Sequence, residues 1–340
     1  MKAWTLTAHG DPHRVFALCE HATPEPKDGE VLIECEGFGI NYADVMASKG
    51  LYREAPPTPS VLGYEVVGRV RGLGPGAPSE LLGQRVVGMT RFGGYAQFAV
   101  TDHRAVCGIP EGMPLGTAAA LATQGCTAWY ATHLLCPLRE GQRVLIHSAA
   151  GGVGHLLVQL AMRAGCEVYA VASGSAKVDY VRSIGAKHVF DRAQGDHRAQ
   201  LEQALRGAPL DVVFNAVGGA SFKQDMRSLG SGGRIVLFGG AERGALGPLG
   251  TLRFVWRMGI VVPILLMMKS RSILGLNMLR IAEDRPQDIA ECLRSTVEAC
   301  AKHHLSPHVH GEYSAAELPR AMADLAGGAT MGKLVVRWSS

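Results

Sequence analysis

The turn Ala149–Gly154 has the composition of a phosphate-binding loop. It follows the apolar run Val144–His147 and opens the helical pattern His155–Ala161. Pyrophosphate binding needs a tight turn, close approach of the backbone and the N–H groups of a helix N-terminus, and small residues here provide all three. A tight strand-to-helix turn without a ligand is the alternative. The candidate pyrophosphate ligands are Ala150, Gly151, Gly152 and Val153.

The end of the next predicted strand indicates which dinucleotide binds. An NAD enzyme places an acidic residue there, against the ribose 2′-hydroxyl. The segment Val171–Lys177 contains no carboxylate. Ser173 can donate a hydrogen bond, and Lys177 and Arg192 can pair with a 2′-phosphate. The sequence therefore favours NADPH over NADH, with ordinary surface charge as the alternative role of either cation.

The sequence offers no metal-ligand set and no hydrolase motif. A catalytic zinc needs three Cys, His or carboxylate ligands and a structural zinc usually needs four, and neither set is evident. The histidines at 303, 304, 308 and 310 are interpreted as a solvated helix end and turn. No Gly-x-Ser-x-Gly motif supports a nucleophilic serine. Hydride transfer, which needs no protein nucleophile, fits these absences because the nicotinamide carries the chemistry.

Composition indicates a folded globular protein. Of the 340 residues 47% are hydrophobic and 19% are charged, and the net charge is only +4. The basic residues are scattered, so no nucleic-acid footprint is visible. The N-terminus lacks the pattern of a signal peptide, and the eight cysteines form no Cys-x-x-Cys pair. We therefore expect reduced cysteines and a cytoplasmic location.

Two regions of different periodicity position these residues. The first 120 residues contain short β segments divided by turns, predicted at Lys2–Leu6, Glu30–Phe38, Glu65–Leu73, Arg85–Met89 and Ala96–Val100. Apolar runs then alternate with helical patterns, which is typical of βαβ units and a parallel sheet. Its six predicted strands are Arg143–Ser148, Glu167–Ser173, His188–Asp191, Leu210–Val217, Gly233–Gly239 and Ser272–Asn277.

The predicted fold class is α/β, with a Rossmann doubly wound parallel sheet and a second, mostly β domain. Helices are predicted at Gly154–Ala164, Ala176–Ile184 and Pro286–His303, and a closing strand at Gly332–Trp338. The nucleotide-binding domain is expected to span residues 123–277. The other domain is expected to combine residues 1–122 and 278–340, because a short tail follows the Rossmann unit.

One apolar segment needs a separate explanation. Gly259–Met268 is wholly apolar, but its 10 residues are too few to cross a bilayer. We interpret it as a buried helix or a subunit interface. Contact with a lipid surface, together with Trp256, is the alternative.

Motifs along nearly the whole chain resemble those of the zinc-independent medium-chain dehydrogenases/reductases, in the quinone oxidoreductase group. The matching segments are Gly39–Asp44, Gly50–Tyr52, Gly63–Gly68, Thr127–Ala128, Ala149–Gly154 and Gly332–Lys333. Zinc alcohol dehydrogenases of the same superfamily carry Cys in the first segment and Gly-His-Glu in the third. Here the metal positions hold Asn41 or its neighbours and Tyr64. The layout after Gly239 most resembles the vesicle amine transport protein branch.

This resemblance implies a GroES-like catalytic domain, a homodimer and a set of cofactor contacts. It implies that Asn41 and Thr127 contact the nicotinamide ribose end, and that Gly152 and Val153 contact the pyrophosphate. It also implies that Ser173 and Lys177 hold the adenosine phosphate. Many relatives carry Tyr at position 192, so the role of Arg192 is inferred from its charge. The predicted cofactor set is completed by Asn215, Phe238 and Gly239.

The resemblance places Asn41 and Tyr52 beside the substrate. Tyr52 offers a ring to stack on a quinone or enone and a hydroxyl to hold its oxygen. Tyr64 is the third candidate catalytic residue, and Asp44 and Glu65 are interpreted as structural. We predict an NADPH-dependent reductase of a quinone or an α,β-unsaturated carbonyl, including enoyl groups on an acyl carrier. A nucleotide-binding protein that attaches to a membrane or partner, with little turnover, is the alternative.

Overall fold

A computed structural model of the chain describes residues 1–245 and 250–338. The chain divides into two compact units, Met1–Cys126 with Met278–Ser340, and Thr127–Asn277. In the two described ranges, no helix is long and apolar enough to cross a membrane.

The first unit begins with short strands and turns. Its first elements are β1 (Lys2–Leu6), α1 (Pro12–Val15), β2 (Phe16–Glu20), β3 (Glu30–Ile40), α2 (Tyr42–Ser48), β4 (Ser60–Val61), β5 (Glu65–Leu73), β6 (Arg85–Met89), β7 (Phe98–Asp102), β8 (Val106–Gly108) and α3 (Leu115–Ala120). A π-helical stretch, Leu121–Gly125, follows α3. Short 3₁₀ turns lie at Ser79–Leu81 and His103–Ala105.

The second unit alternates strands and helices. Its elements, beginning one residue before the unit, are α4 (Cys126–Trp129), a π-helical stretch (Tyr130–Leu135), β9 (Arg143–Ile146), α5 (Gly154–Arg163), β10 (Glu167–Ala172), α6 (Ser175–Ser183), β11 (His188–Asp191), α7 (His197–Leu205), β12 (Leu210–Asn215), α8 (Ala220–Ser228), β13 (Leu229–Leu237), a 3₁₀ turn (Ala241–Ala245), α9 (Gly250–Met258), α10 (Pro263–Met268) and β14 (Ser272–Gly275).

The chain then returns to the first unit. The last elements are α11 (Met278–Asp284), α12 (Pro286–Ala301), β15 (Val309–Ser314), a 3₁₀ turn (Ala315–Glu317), α13 (Leu318–Gly327) and β16 (Lys333–Arg337).

The main sheet of the first unit brings three distant segments to one point. Its strand order is β15-β16-β3-β5-β6-β8, and β7 also pairs with β3. Both β5 and β16 run antiparallel to β3. The starts of these two strands therefore lie beside the end of β3. Asn41, Glu65 and Lys333 stand at those three positions.

The sheet of the second unit is parallel throughout, with strand order β11-β10-β9-β12-β13-β14. In order of appearance this is 3-2-1-4-5-6, the doubly wound arrangement in which ligands bind beyond the carboxyl ends of the strands. The predicted Rossmann sheet is confirmed. The predicted cofactor residues of this unit follow β9, β10, β11, β12 and β13 at that edge, except Thr127, which lies before the sheet.

The predicted strand and helix bounds differ from the structure at several places. Helix α2 was not predicted from the sequence. Five consecutive residues, 44–48, are buried, so the helix has no amphipathic period. The strand predicted at Ala96–Val100 begins later, at Phe98. Ala96 instead forms an isolated bridge with Ala3 of β1.

The interpretation of Gly259–Met268 as a helix buried within the chain is wrong. No residue of α10 is buried. Ile260 is 93% exposed, Trp256 is 78% exposed and Met268 is 73% exposed. Helix α10 is followed along the chain by β14, the last strand of the sheet on that side. The two other interpretations, a subunit interface or a lipid contact, therefore remain.

Candidate functional site

The turn after β9 is shaped so that α5 can begin close to the strand. Ser148 has a positive φ of 53°. The Gly151 N–H donates to the Ser148 carbonyl at 2.8 Å, and the Ala149 N–H donates to the Val171 carbonyl of β10 at 2.9 Å. A Cβ at Gly154 would collide with the Ser148 carbonyl oxygen. Glycine at this position therefore permits the close approach of helix and strand that a phosphate-binding turn requires.

The four candidate pyrophosphate ligands lie along this turn. Ala150 is buried, whereas Gly151, Gly152 and Val153 are half-buried. The first turn of α5 carries the positive end of the helix dipole, and its His155 N–H donates to the Gly151 carbonyl at 3.1 Å. The turn therefore fits a pyrophosphate.

The residues predicted to hold the 2′-phosphate come together at the ends of β10 and β11. The Arg192 Nε donates to the Ser173 Oγ at 3.0 Å. Burial lowers the pKa of the half-buried Lys177, and the positive charge of Arg192 lowers that pKa further. Two like charges therefore lie close together beside a hydroxyl group. A phosphate dianion placed among them would relieve this repulsion and accept charged hydrogen bonds, so this donor set fits NADPH.

Asp191 holds the two loops that carry this cluster. Its Oδ1 accepts the Gly174 N–H at 2.9 Å and the Ala193 N–H at 2.8 Å. These two hydrogen bonds lower the pKa of the Asp191 carboxyl. The carboxylate therefore ties the residue after Ser173 to the residue after Arg192.

Asn215 has a structural role that the sequence did not indicate. Its Oδ1 accepts the N–H groups of Val217 and Gly218, both at 2.8 Å. Its Nδ2 donates to the Ser221 Oγ at 2.9 Å and to the Asp225 Oδ2 at 2.6 Å. All four hydrogen-bonding positions of the amide are used within the protein. We therefore assign this side chain to the loop after β12, and the cofactor contact of Asn215 stays a prediction.

The same hydrogen-bond network contains groups that the sequence analysis missed. Asp225 is fully buried, 2.9 Å from the His147 Nε2 and 2.7 Å from an Arg198 guanidinium nitrogen. Burial raises the pKa of Asp225, but His147 and Arg198 outweigh it and the net shift is downward. The network fixes the residue before the phosphate-binding turn. Its only sequence signal is a histidine at the end of an apolar strand.

The remaining predicted cofactor residues of this unit lie at two places. Phe238 is half-buried just after β13, and its N–H donates to the Asn215 carbonyl at 3.2 Å. Gly239, next in the chain, is exposed. Thr127 is 7% exposed, in α4. These positions stay predictions.

In the first unit, Asn41 belongs to a buried polar cluster. Its Nδ2 donates to the Glu65 Oε1 at 2.8 Å. Its Oδ1 accepts from the Lys333 Nζ at 3.1 Å and from the Gln124 Nε2 at 3.3 Å. Lys333 also forms an ion pair with Glu65, and both side chains are fully buried. Asn41 is therefore held by three neighbours.

Two carboxylates near Asn41 accept backbone donors. The Asp44 Oδ2 accepts the Asn41 N–H at 2.9 Å, and the Glu65 Oε2 accepts the Thr123 N–H at 2.9 Å. Burial raises the pKa of Asp44 to about 7. Asp44 also helps to raise the pKa of the buried Tyr95 hydroxyl, after burial itself. Both carboxylates therefore have structural contacts.

The two candidate tyrosines lie against each other. The rings of Tyr52 and Tyr64 are 6.2 Å apart in a T-shaped arrangement, and Phe92 lies 5.2 Å from Tyr64. Tyr64 is only 3% exposed, whereas Tyr52 is half-buried. Burial raises the pKa of both hydroxyls, so each stays protonated at neutral pH. We therefore assign Tyr64 to support of Tyr52, and keep Tyr52 as the candidate donor to a ligand.

Lys333 is the contact that the sequence analysis did not assign. It entered only as part of a family motif, Gly332–Lys333. Its sequence signal is a lysine that opens the apolar run Leu334–Val336.

Within residues 1–245 and 250–338, no group of three or more His, Cys, Asp or Glu side chains is arranged to hold a metal ion.

The parallel sheet with its phosphate-binding turn, together with a second unit that carries the polar cluster around Asn41, is typical of a two-domain oxidoreductase. Comparison with known families agrees. Residues 27–137 match the alcohol dehydrogenase GroES-like domain, and residues 152–295 match the family model described as zinc-binding dehydrogenase. The chain belongs to the medium-chain dehydrogenase/reductase family, as its motifs indicated. Quinone oxidoreductases are among the solved structures that share its fold.

Three relatives show the range of this similarity. A mycobacterial protein solved in complex with NADPH is 28% identical, with a TM-score of 0.86 over 99% of each chain. The human synaptic vesicle membrane protein VAT-1 homolog-like protein is 25% identical, with a TM-score of 0.83 over 100% of this chain and 98% of that one. A mycocerosic acid synthase-like polyketide synthase of Mycobacterium tuberculosis is 35% identical over 224 residues, or 66% of this chain. The chain spans about 10% of the length of that synthase.

Proposed function

We propose that the protein is an NADPH-dependent reductase that transfers hydride to a quinone or an α,β-unsaturated carbonyl without zinc. The observation that carries the proposal is the cluster of Ser173, Lys177 and Arg192, in which the Arg192 Nε lies 3.0 Å from the Ser173 Oγ. A 2′-phosphate is the feature that distinguishes NADPH from NADH, and this cluster supplies a hydroxyl and two cations for it. The NADPH complex of the mycobacterial relative supports the same cofactor.

A dinucleotide bound at the turn after β9 would supply the hydride, and the chain's own residues would hold the acceptor. Hydride addition to a conjugated carbonyl places negative charge on its oxygen, which hydrogen-bond donors stabilise. Tyr52 is a candidate donor because burial raises the pKa of its hydroxyl and keeps it protonated. Asn41 is the second candidate, through an N–H of its amide. The proton that completes the reduction comes from solvent or from a tyrosine.

The acceptor is proposed to be a conjugated carbonyl rather than a simple ketone. A simple ketone gains most from a Lewis acid on its oxygen. The family positions for zinc hold Asn41 or its neighbours and Tyr64, whose side chains are poor zinc ligands. A quinone or enone accepts hydride more readily because charge spreads over the conjugated system. The polyketide synthase relative adds enoyl thioesters to the acceptors to be tested.

Steady-state assays with purified protein test the proposal. The panel contains 1,4-naphthoquinone, a linear enone, an enoyl thioester and a saturated ketone, each with NADPH and with NADH. We expect oxidation of NADPH by one or more of the three conjugated acceptors, little oxidation of NADH, and no turnover of the saturated ketone. Equal use of both cofactors would contradict the phosphate-site assignment. Turnover of the saturated ketone alone would contradict the assigned reaction.

The exposed apolar face at Trp256–Met268 favours a second property, association with another copy of the chain. Ile260 is 93% exposed, and the segment is followed along the chain by β14, the outermost strand of the sheet. A strand at a sheet edge has unpaired backbone groups that a second copy can pair. Light scattering of the wild type and of W256S/I260S tests this, because a dimer should become a monomer. A monomeric wild type that binds anionic vesicles would instead favour the lipid alternative.

The cysteines support a reducing compartment such as the cytoplasm for this enzyme. All eight are free, and five of them are buried. Burial raises the pKa of the Cys35 and Cys126 thiols, which makes both unreactive.

A further inference from the structure

The buried ion pair beneath Asn41 needs an explanation because it is costly to build. Lys333 and Glu65 are both fully buried, and the Lys333 ammonium contacts the Glu65 Oε1. Removing two charges from water costs several kcal/mol per ion, and apolar residues often stabilise a protein equally well. The pair therefore has a role beyond adding stability to the sheet.

The pair permits only one orientation of the Asn41 amide. A lysine ammonium can only donate hydrogen bonds, and a carboxylate can only accept them. The Lys333 Nζ lies 3.1 Å from the Asn41 Oδ1, and the Glu65 Oε1 lies 2.8 Å from the Asn41 Nδ2. A flipped amide would place its NH₂ group against the ammonium and its oxygen against the carboxylate. Both contacts would be repulsive.

This orientation limits what Asn41 can offer to a ligand. Its Oδ1 already accepts from Lys333 and, at 3.3 Å, from the Gln124 Nε2. One Nδ2 hydrogen is used by Glu65. Among the hydrogen-bonding positions of the Asn41 amide, these contacts leave the second Nδ2 hydrogen, which can donate a hydrogen bond. Asn41 can therefore bind an acceptor oxygen of a ligand.

The backbone of β3 is shaped around the same pair. A Cβ at Gly39 would collide with the Glu65 carboxylate and with the end of the Lys333 side chain. Lys333 Nζ also donates to the Ile40 carbonyl at 3.2 Å, one residue before Asn41. The pair thus fixes both the amide of Asn41 and the backbone that carries it.

We propose that Lys333 and Glu65 are positioning residues that hold the Asn41 amide as a hydrogen-bond donor toward the acceptor oxygen of the substrate. This inference rests on the proposed reductase function. The two residues act through Asn41 and do not touch the substrate. A purely structural pair would change stability without changing the turnover of the folded enzyme.

The decisive variant is E65Q/K333M, which removes both charges at similar side-chain volume and leaves no buried charge uncompensated. A glutamine at 65 keeps one acceptor oxygen, which can accept from the Asn41 amide or from the Thr123 N–H, and the amide of Asn41 is free to flip. The matched control is E298Q/K302M, the same substitutions on an exposed pair at 3.6 Å. Thermal denaturation establishes that each variant is folded before kinetics are compared.

A mutant cycle with N41A separates positioning from stability. We expect N41A and E65Q/K333M each to lower kcat about 10- to 100-fold, the range of a lost hydrogen bond to a charged group, with the KM for NADPH changed less than about 3-fold. The triple variant should be no slower than N41A, because the pair acts only through that residue. Wild-type kcat in E65Q/K333M, or losses that multiply in the triple variant, would overturn the inference.

A spectroscopic readout keeps this inference distinct from the proposed function. The chain has three asparagines, at 41, 215 and 277, so protein labelled with ¹⁵N-asparagine gives three side-chain amide signals. N41A assigns one of them. In the wild type we expect one Asn41 amide proton to be shifted downfield by its bond to Glu65, and in E65Q/K333M we expect it to move upfield. If the wild type reduces no acceptor but this shift occurs, the proposed function fails and the positioning holds. An unchanged Asn41 signal overturns the positioning itself.

Discussion

Two of the charged clusters described above, one in each unit, differ in the signs of the charges that they bring together. In the second unit, Lys177 and Arg192 bring like charges together at a partly exposed strand end, where the charge of Arg192 helps to lower the pKa of Lys177. In the first unit, Lys333 and Glu65 bring opposite charges together with no exposure to solvent. A cluster of one sign is suited to an incoming anion, whereas a neutralised buried pair is suited to fixing its neighbours. The comparison predicts that the first cluster controls which cofactor binds and the second controls turnover.

The largest effect is expected from K177A/R192A. Loss of two charged hydrogen-bond donors should raise the KM for NADPH about 100- to 1,000-fold and leave that for NADH within about 3-fold. The check is the ratio of kcat/KM for the two cofactors. The control K187A removes an exposed lysine of the same unit. A variant that keeps the wild-type cofactor ratio would break the assignment of this cluster to the 2′-phosphate.

The next largest effect is expected at Asp44, because burial disfavours the charged form of its carboxyl group. The pKa of Asp44 is raised to about 7 from its ordinary 3.8 by burial. The folded state keeps this proton at pH values where the unfolded chain has lost it, so this group lowers the free energy of unfolding as pH rises from about 4 to about 7. Asparagine at 44 keeps an oxygen for the Asn41 N–H but does not ionise.

The prediction is that D44N gains about 3 kcal/mol relative to the wild type between pH 4 and pH 8, with no further gain above pH 8. Denaturant unfolding of the two proteins over this pH range measures the difference. The exposed D28N variant should show no such trend. A constant difference between D44N and the wild type would show that Asp44 is ionised throughout.

A smaller effect is expected from G154A, which should weaken the binding of NADPH and of NADH equally. A Cβ at this position collides with the Ser148 carbonyl, so the phosphate-binding turn must open. We expect the Kd values of NADPH and NADH both to rise about 10-fold or more. Gly327 has open space around its Cα, so G327A is the matched control. If G154A discriminated between the cofactors, the turn would be acting on the 2′-phosphate and not on the pyrophosphate.

The smallest effect is expected from substitution of Glu298 and Lys302. This ion pair is exposed, whereas the pair Glu65 and Lys333 is fully buried. The Glu298 and Lys302 side chains are 57% and 63% exposed. Their attraction is screened by water, so E298Q/K302M should change the free energy of unfolding by less than about 0.5 kcal/mol. Urea unfolding measures this change, and a loss above about 1 kcal/mol would contradict it.

The nucleotide-binding unit was predictable from the sequence because its signals are local. The parallel strands are continuous apolar runs, and the turn after β9 carries its small residues in one segment. Ser173, Lys177 and Arg192 follow consecutive strands, whose carboxyl ends meet at one edge of any parallel sheet. Their proximity therefore follows from the fold class. The structural role of the Asn215 side chain was not predictable, because its four hydrogen-bond partners are set by the loop conformation after β12.

The polar cluster of the first unit was predictable only in part. Asn41 and Glu65 were singled out through a family motif, but the ammonium that contacts both is 292 residues from Asn41 along the chain. Strand pairing over such a distance leaves no periodic signal in the sequence. Burial of Gly259–Met268 within the chain was predicted wrongly for a related reason, since an apolar run does not reveal whether the residues that cover it lie in the same chain.

The most direct test of the proposed reaction is to follow the transferred hydrogen. The wild type is mixed with a linear enone and NADPH that carries deuterium at both C4 positions of the nicotinamide, and the product is examined by mass spectrometry and NMR. The account predicts a saturated ketone with one deuterium at the β-carbon and a solvent hydrogen at the α-carbon. An allylic alcohol with deuterium at the carbonyl carbon, or a product without deuterium, would contradict it.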